Sequence, residues 1–349
     1  MADVIWTGGA PAVAQVDTLT VGGTIETGDE FRITINNRSV EFIATNTTIA
    51  TTVAGLVAAW NASLAPEHAE VTAVDASPDI TLTADTAGVP FTLTVATTES
   101  GGGAADLQTF TTTTTTSADG PNHVDNATNW KDAGSGASGV PVADDHIYLE
   151  NSAISLLYAI NQTGTALDAI NISQTFTGKV GLPRTNPNGY QEYRPQYLAY
   201  EVSSAVGEGV TIGYGTGAGS GRIKLDVGAT QSKFLIQNSG SNAESGVPAI
   251  LLKGSSTSNT LIVNRGRVGL SFFPGDVFKS NTINIGSAGS PSSDVNVMSG
   301  IGTVVTNLNI NGGTSSWEDF ATTAPTITVT SGTVSINQSA VAGALNIEN

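Results

Sequence analysis

A four-residue pattern recurs in the last quarter of this 349-residue chain and restricts what the chain can fold into. Thr-Ile-Asn-Ile at 282–285, Asp-Val-Asn-Val at 294–297, Asn-Leu-Asn-Ile at 307–310, Thr-Ile-Thr-Val at 326–329 and Ala-Leu-Asn-Ile at 344–347 share one design. Each sets two aliphatic residues on one face of an extended segment and polar residues on the other. Comparable positions near 283, 308, 327 and 345 lie 18 to 25 residues apart, a spacing suited to one coil of a parallel β-solenoid. Such a coil cannot hide its apolar side alone and needs the coil above and below. From about residue 145 the same kind of short strand recurs as HIYLE, LDAINIS, VTIGYG, RIKLDV, KFLIQN, AILLKG, TLIVN and RVGLSF. An antiparallel sandwich also uses short strands and Gly/Asn turns. The repeated tetrads favour a mainly β chain built as a parallel β-solenoid, with a small α+β domain inserted near its N-terminal end.

Composition agrees with short strands rather than long helices: Thr, Gly, Ala, Ser, Asn and Val dominate. The chain has no cysteine, which excludes disulfides, thiolate metal sites and a cysteine nucleophile. His68, His123 and His146 are scattered and form no metal-binding spacing, and no cofactor motif is found. The net charge of −17 is uneven. Residues 1–130 carry Arg32 and Arg38 against fifteen acidic residues, or −13; residues 131–349 carry eleven basic against fifteen acidic, or −4. Nucleic-acid binding needs a basic track, so this balance argues against it. The ordinary reading of the acidic front is a solvated surface; the sharper one is a part that projects away from a docking face. MADVIWTGG lacks a basic region followed by an apolar core, so the expectation is a chain without a secretory leader. No apolar run approaches the roughly 20 residues of a membrane helix.

The expected boundaries are 1–14 for the first solenoid strand, 15–118 for the inserted module and 119–349 for the solenoid. Within the module, FRITI and SVEFI form a hairpin around Asn36-Asn37-Arg38, since Asn tolerates left-handed backbone angles. Thr47 or Thr48 caps a helix whose Ile49, Val53, Leu56, Val57 and Trp60 share one face. AEVTAV, ITLTA and FTLTVAT follow as strands, and the helix closes one face of a small sheet. The threonine run at 111–116 reads as a last strand or a stiff connector.

The lines GTIETGDEFRITINNRSVEF, TIATTVAGLVAAWNA and ITLTADTAGVPFTLTV resemble a module of bacteriophage virion proteins, particularly tail and other particle components. The resemblance covers about 80 residues and implies a structural or interaction domain without an active site. IWTGGA, with NATNW and GVPVADDHIYL, is similar to the opening segment of many parallel β-helix proteins. There the two halves lie close in sequence; here the module separates them. Trp6 and Trp130 are then a pair that shields the end of the first coil, the alternative being two ordinary core tryptophans in separate domains.

Candidate chemistry is sparse. GLPRTNPNGYQEYRPQYLAY (181–200) concentrates Tyr190, Glu192, Tyr193, Arg194, Tyr197 and Tyr200, residue types that serve interfaces and sugar binding. Hydrolysis of a glycoside needs two facing carboxylates. Glu192 is alone locally, with Asp168 or Glu201 as the nearest candidates to approach it. GKVGLP and EYRPQYL also look familiar from solenoid proteins of phage and prophage particles. GYGTGAGSGR (213–222) is followed by a strand rather than a helix, so it reads as a tight turn and not a phosphate loop. Asp119, Asn122, Asp125 and Asn126 supply oxygen ligands but match no calcium loop. Trp317 and Phe320 read as part of an excursion between coils and as interface candidates if exposed. The last tetrad has no cap, which leads to the expectation of truncation or a covering partner.

These features lead to the expectation of a non-enzymatic virion component located in the particle, as a head decoration, head fibre or tail-associated protein. Its expected partners are itself, as a homotrimer, and the capsid or tail proteins of the same particle, with no nucleic acid and no membrane. The alternative is an appendage that binds or cleaves host-surface polysaccharide.

Overall fold

The computed structural model describes residues 1–99, 107–203, 209–286, 295–318 and 325–337, with the backbone of 345–347. The chain is mainly β. It divides into two units. The larger comprises Met1–Gly9, Asn122–Pro183 and Pro195–Asn349; the smaller comprises Ala10–Pro121 and Arg184–Arg194.

In the larger unit most strands pair in parallel with the strand two places on in sequence. One ladder runs through Asp3–Trp6, His146–Leu149, Ala169–Ser173, Val210–Tyr214, Lys233–Ile236, Thr260–Val263 and Phe278–Ile285. The other runs through Asn161–Leu167, Leu198–Val202, Ile223–Asp226, Ile250–Lys253, Gly266–Leu270 and Val295–Ser299. Both continue into the long strands Thr303–Trp317 and Thr326–Ile336. Leu345–Ile347 then pairs with the first part of Thr326–Ile336. Among the described residues no pairing joins this last strand to the first, so the ladders do not close into a ring.

The register explains the recurring tetrads. Phe234, Leu261, Ile283, Leu308, Ile327 and Leu345 are successive Cα partners, in steps of 27, 22, 25, 19 and 18 residues. A second row two residues along stacks Ile236, Val263, Ile285, Ile310 and Val329. Apart from Val329, which is partly buried, the side chains described in these rows belong to one continuous buried core. Burying each such side chain contributes about 1.5–3 kcal/mol. Polar residues between them face outward and also stack: Asn309 Nδ2 donates to Asn284 Oδ1 at 2.9 Å. The glycine-rich run from 213 enters inside a strand rather than as a turn alone. Ile172 pairs with Ile212 but Ser173 with Tyr214, so Gly213 bulges, at φ 84°.

Two strands of the parallel ladders have no match in the sequence reading. Asn161–Leu167 (NQTGTAL) shows weak alternation. Leu198–Val202 lies inside the tyrosine-rich stretch and turns Tyr200 into the core.

The N-terminal strand has two neighbours. Asp3–Trp6 is parallel to His146–Leu149 and antiparallel to Trp130–Asp132, with Trp6 directly opposite Trp130. The two indoles meet edge to face at 4.8 Å and are buried. Each polar edge is satisfied: Trp6 Nε1 donates to Ile154 O at 2.9 Å and Trp130 Nε1 to Val124 O at 2.8 Å. Asp145, the second residue of the acidic pair, accepts from the backbone N–H of Ala2 and of Val142.

The smaller unit holds two antiparallel sheets, where the sequence led to one. The first has the order Val71–Ala76, Asp79–Ala84, Val16–Gly23, Gln108–Thr116; the second has Arg38–Ile43, Glu30–Ile35, Leu93–Thr98. The strand Val16–Gly23 escaped the sequence reading because its inward row contains Asp17. That buried carboxylate accepts from Gln15 Nε2 at 2.6 Å and from the Thr114 hydroxyl. The threonine run lies within the edge strand paired to it. Asn36 and Asn37 both have positive φ, as a two-residue hairpin turn of this twist requires. Helix α1 (Ile49–Asn61) starts after Thr48, whose side chain makes no capping bond. Its hydroxyl instead donates to Asn46 Oδ1. Val53, Leu56 and Trp60 enter a core with Phe31, Ile33, Ile80 and Leu82.

Replacing Trp6 or Trp130 with Ala is expected to cost about 3–5 kcal/mol each, as truncation of buried aromatics does. Because the rings touch, the double variant should lose less than the sum in urea titrations; strict additivity would contradict a shared cap. His68 supplies a pH dependence. Its ring lies 4.5 Å from that of Trp60, with Nε2 3.2 Å from Arg38 O and Nδ1 2.6 Å from Ser63 Oγ. The carbonyl must accept, so Nε2 carries a proton. Burial holds its pKa below 6.5. The unfolded chain therefore takes up the proton first as pH falls. The contribution is complete above 6.5 and is lost through the lower folded pKa. The stability gap between the native chain and His68→Gln should narrow as pH drops below 6.5, measured by urea midpoints.

Candidate functional site

The tyrosine-rich stretch is divided by the fold. Residues 184–194 belong to the smaller unit, whereas Tyr197 and Tyr200 belong to the larger. In the smaller unit Asn188 Nδ2 and the Tyr190 hydroxyl both donate to the Glu70 carboxylate. Arg194 donates to the Pro90 carbonyl and pairs with Glu192. Tyr190 and Glu192 are buried. Burial, and then the hydrogen bond to Glu70 and its charge, push the Tyr190 phenol well above its usual range. Tyr190, Glu192 and Arg194 are thus engaged inside their own unit. Tyr193 alone of this group is exposed, at 55 %.

The other sequence candidates have structural partners. Asp168 Oδ2 lies 3.8 Å from His146 Nε2, and Glu201 accepts from the backbone N–H of Ala229 and Thr230. Asn126 accepts from Thr128 N–H, and Asn122 donates to Ser155 O. Among the described residues no group of three or more His, Cys, Asp or Glu is placed to hold a metal ion. Trp317 ends the strand Thr303–Trp317, opposite Ser299 and Ile336, and is 1 % exposed. It is a core residue, not part of an excursion between coils. Phe320 lies outside the described residues.

What the sequence reading missed is a charged network on the outward side of the second ladder. Strand Ile223–Asp226 turns Ile223 and Leu225 into the core, so alternation sends Lys224 and Asp226 to the opposite face. In the next strand Lys253 is the register partner of Asp226, and their charged groups are 3.3 Å apart. Lys253 Nζ also lies 3.7 Å from Asp276 Oδ1 and 4.9 Å from the centre of the Tyr197 ring. The Tyr197 hydroxyl donates to Asp276 Oδ2 at 2.6 Å, and that oxygen also accepts from Phe273 N–H at 3.2 Å. Behind them, Glu244 Oε1 is 3.4 Å from Lys224 Nζ and 3.7 Å from Arg222 Nε. Three basic residues (Arg222, Lys224, Lys253) balance three acids (Asp226, Glu244, Asp276) in a partly dry setting. Burial costs such ions several kcal/mol each, which good pairing offsets. Burial also raises the Tyr197 phenol far above its usual range, with Asp276 adding to the shift.

Chemically the cluster offers carboxylates, a phenol and amines held by strands and by the segments that cross them. Comparison of the chain with known protein families, with curated proteins and with solved structures found no match.

Tyr197→Phe removes one charge-assisted bond and is expected to cost about 1.5–3 kcal/mol. The measurement is the urea midpoint at unchanged slope. A neutral result would mean that Asp276 is held by its other partners alone.

Proposed function

We propose that this chain is a non-enzymatic structural component of a bacteriophage particle, a head decoration or fibre protein or a tail-associated one. Its larger unit is read as a parallel β-solenoid and its smaller unit as the α+β module inserted near the N-terminal end. The observation that carries this reading is the register of the inward rows. Coil-length steps bring Leu261, Ile283, Leu308 and Ile327 onto one another, so each coil buries the apolar side of the next. A body built this way is stiff and resists proteases, since local opening exposes a contiguous core. The resemblance of the smaller unit to virion modules supplies the setting. Self-association as a trimer and docking to capsid or tail proteins belong to the same proposal.

Gold-labelled antibodies against this chain, applied to intact particles and to host cells, test the setting. Regular labelling of particles at fixed positions is expected; labelling confined to the host cell surface would overturn it. The outward network of Tyr197, Asp226, Glu244 and Asp276 favours a second reading, an appendage acting on host polysaccharide. Purified protein incubated with host capsule or lipopolysaccharide separates the two, and depolymerisation would replace the structural role with this one.

A further inference from the structure

One amine in the larger unit has no role in the reading above. The Lys224 side chain is 0 % exposed, although it points away from the apolar core. It is tightly enclosed: a Cβ added at Gly181 would stand 3.0 Å from its own Cβ, and the ring of Phe273 is centred 5.5 Å from Nζ. The nearest acid is Glu244, with Oε1 at 3.4 Å. Arg222 Nε, which donates to Gly181 O at 3.0 Å, lies 3.7 Å from that same oxygen.

We propose that Lys224 and Glu244 condense to a side-chain amide, an internal cross-link between the strand Ile223–Asp226 and the segment crossing it. The groups facing the amine are Glu244, Arg222 and Asp276. Desolvation is the largest influence on Lys224 and favours its neutral form, which Glu244 opposes by its charge. In a dry site one proton passes from the ammonium to the carboxylate, giving an amine and a carboxylic acid. The Nζ lone pair then attacks Cδ, forming the Nζ–Cδ bond. The oxygen that becomes negative faces the Arg222 guanidinium, which stabilises it. The nitrogen passes one proton to the hydroxyl on Cδ, the C=O re-forms from the oxyanion as the Cδ–O bond to that hydroxyl breaks, and water leaves. Amine plus acid becomes amide plus water, with no oxidant, reductant or cofactor. Fixed neighbours react as if at very high concentration, and this burial supplies that fixation. The proposal does not rest on the particle setting and stands or falls by itself.

The test is the intact mass of the full-length chain under denaturing conditions, followed by a tryptic map. The expected mass is lower than that of the sequence by one water, after allowance for the initiator methionine. The map should contain a branched peptide joining the segments with Lys224 and Glu244, uncut after Lys224. Lys224→Met should restore the full mass. A native chain of full mass with a linear Lys224 peptide overturns the proposal, and so does a loss of water mapped to other residues. Because the native chain decides, a variant that fails to fold does not blur the result.

Discussion

The structure depends on one constraint: along the ladder from Lys233–Ile236 to Thr326–Ile336 the same two positions of successive strands must point inward and stand on one another. Side chains alternate faces along a strand, so a slip of one residue would move a whole aliphatic pair into solvent. Ile283 and Ile285 on Leu308 and Ile310 show the consequence, since hydrogen bonding and apolar contact select one register together. The outward residues then have no freedom of placement. Asn284 and Asn309 stack because the aliphatic residues between them do. Lys224, Asp226 and Lys253 are brought into one network because their neighbours in sequence are core residues.

The smaller unit obeys a different rule and has a core of its own. There a helix stripe and two antiparallel sheets enclose Phe31, Leu56 and Trp60. Its polar interior is specified by side-chain pairs. Asp17 is held by Gln15 and Thr114, His68 by Ser63 and the Arg38 carbonyl. Each of these groups would be costly if left without its partner. They therefore fix how the strands meet more sharply than the apolar contacts do.

How much of this was legible follows from what each feature needs. The tetrads at 282–285, 307–310 and 326–329 carry their own evidence, because repetition of a pattern is visible without knowing the fold. The hairpin at Asn36-Asn37 and the stripe of Val53, Leu56 and Trp60 are local and likewise readable. The indole pair was readable through the resemblance that joined its two halves. Leu198–Val202 was hidden by its tyrosine, which suggested a surface loop where the chain makes a core strand. Val16–Gly23 was hidden by an acid in an inward position. The network of Arg222, Lys224, Glu244 and Asp276 had no local signal, because the steps between paired strands vary in length and a register is needed before distant charges can be paired. The division of the tyrosine-rich stretch between units after Arg194 is also a property of the folded chain alone.

The two ladders are separate through most of the larger unit but share the strands Thr303–Trp317 and Thr326–Ile336. Between the earlier strands the chain passes from one ladder to the other through residues outside the strands. Where a single strand serves both ladders, the passage is made inside the strand at Gly313 and Gly332, whose positive φ of 77° and 100° falls where the register shifts. Hydrogen exchange along these strands should therefore be slow in two blocks, one on each side of those glycines. A mechanical load applied to either ladder there would be carried along the chain itself, by covalent bonds, and not only across it by hydrogen bonds.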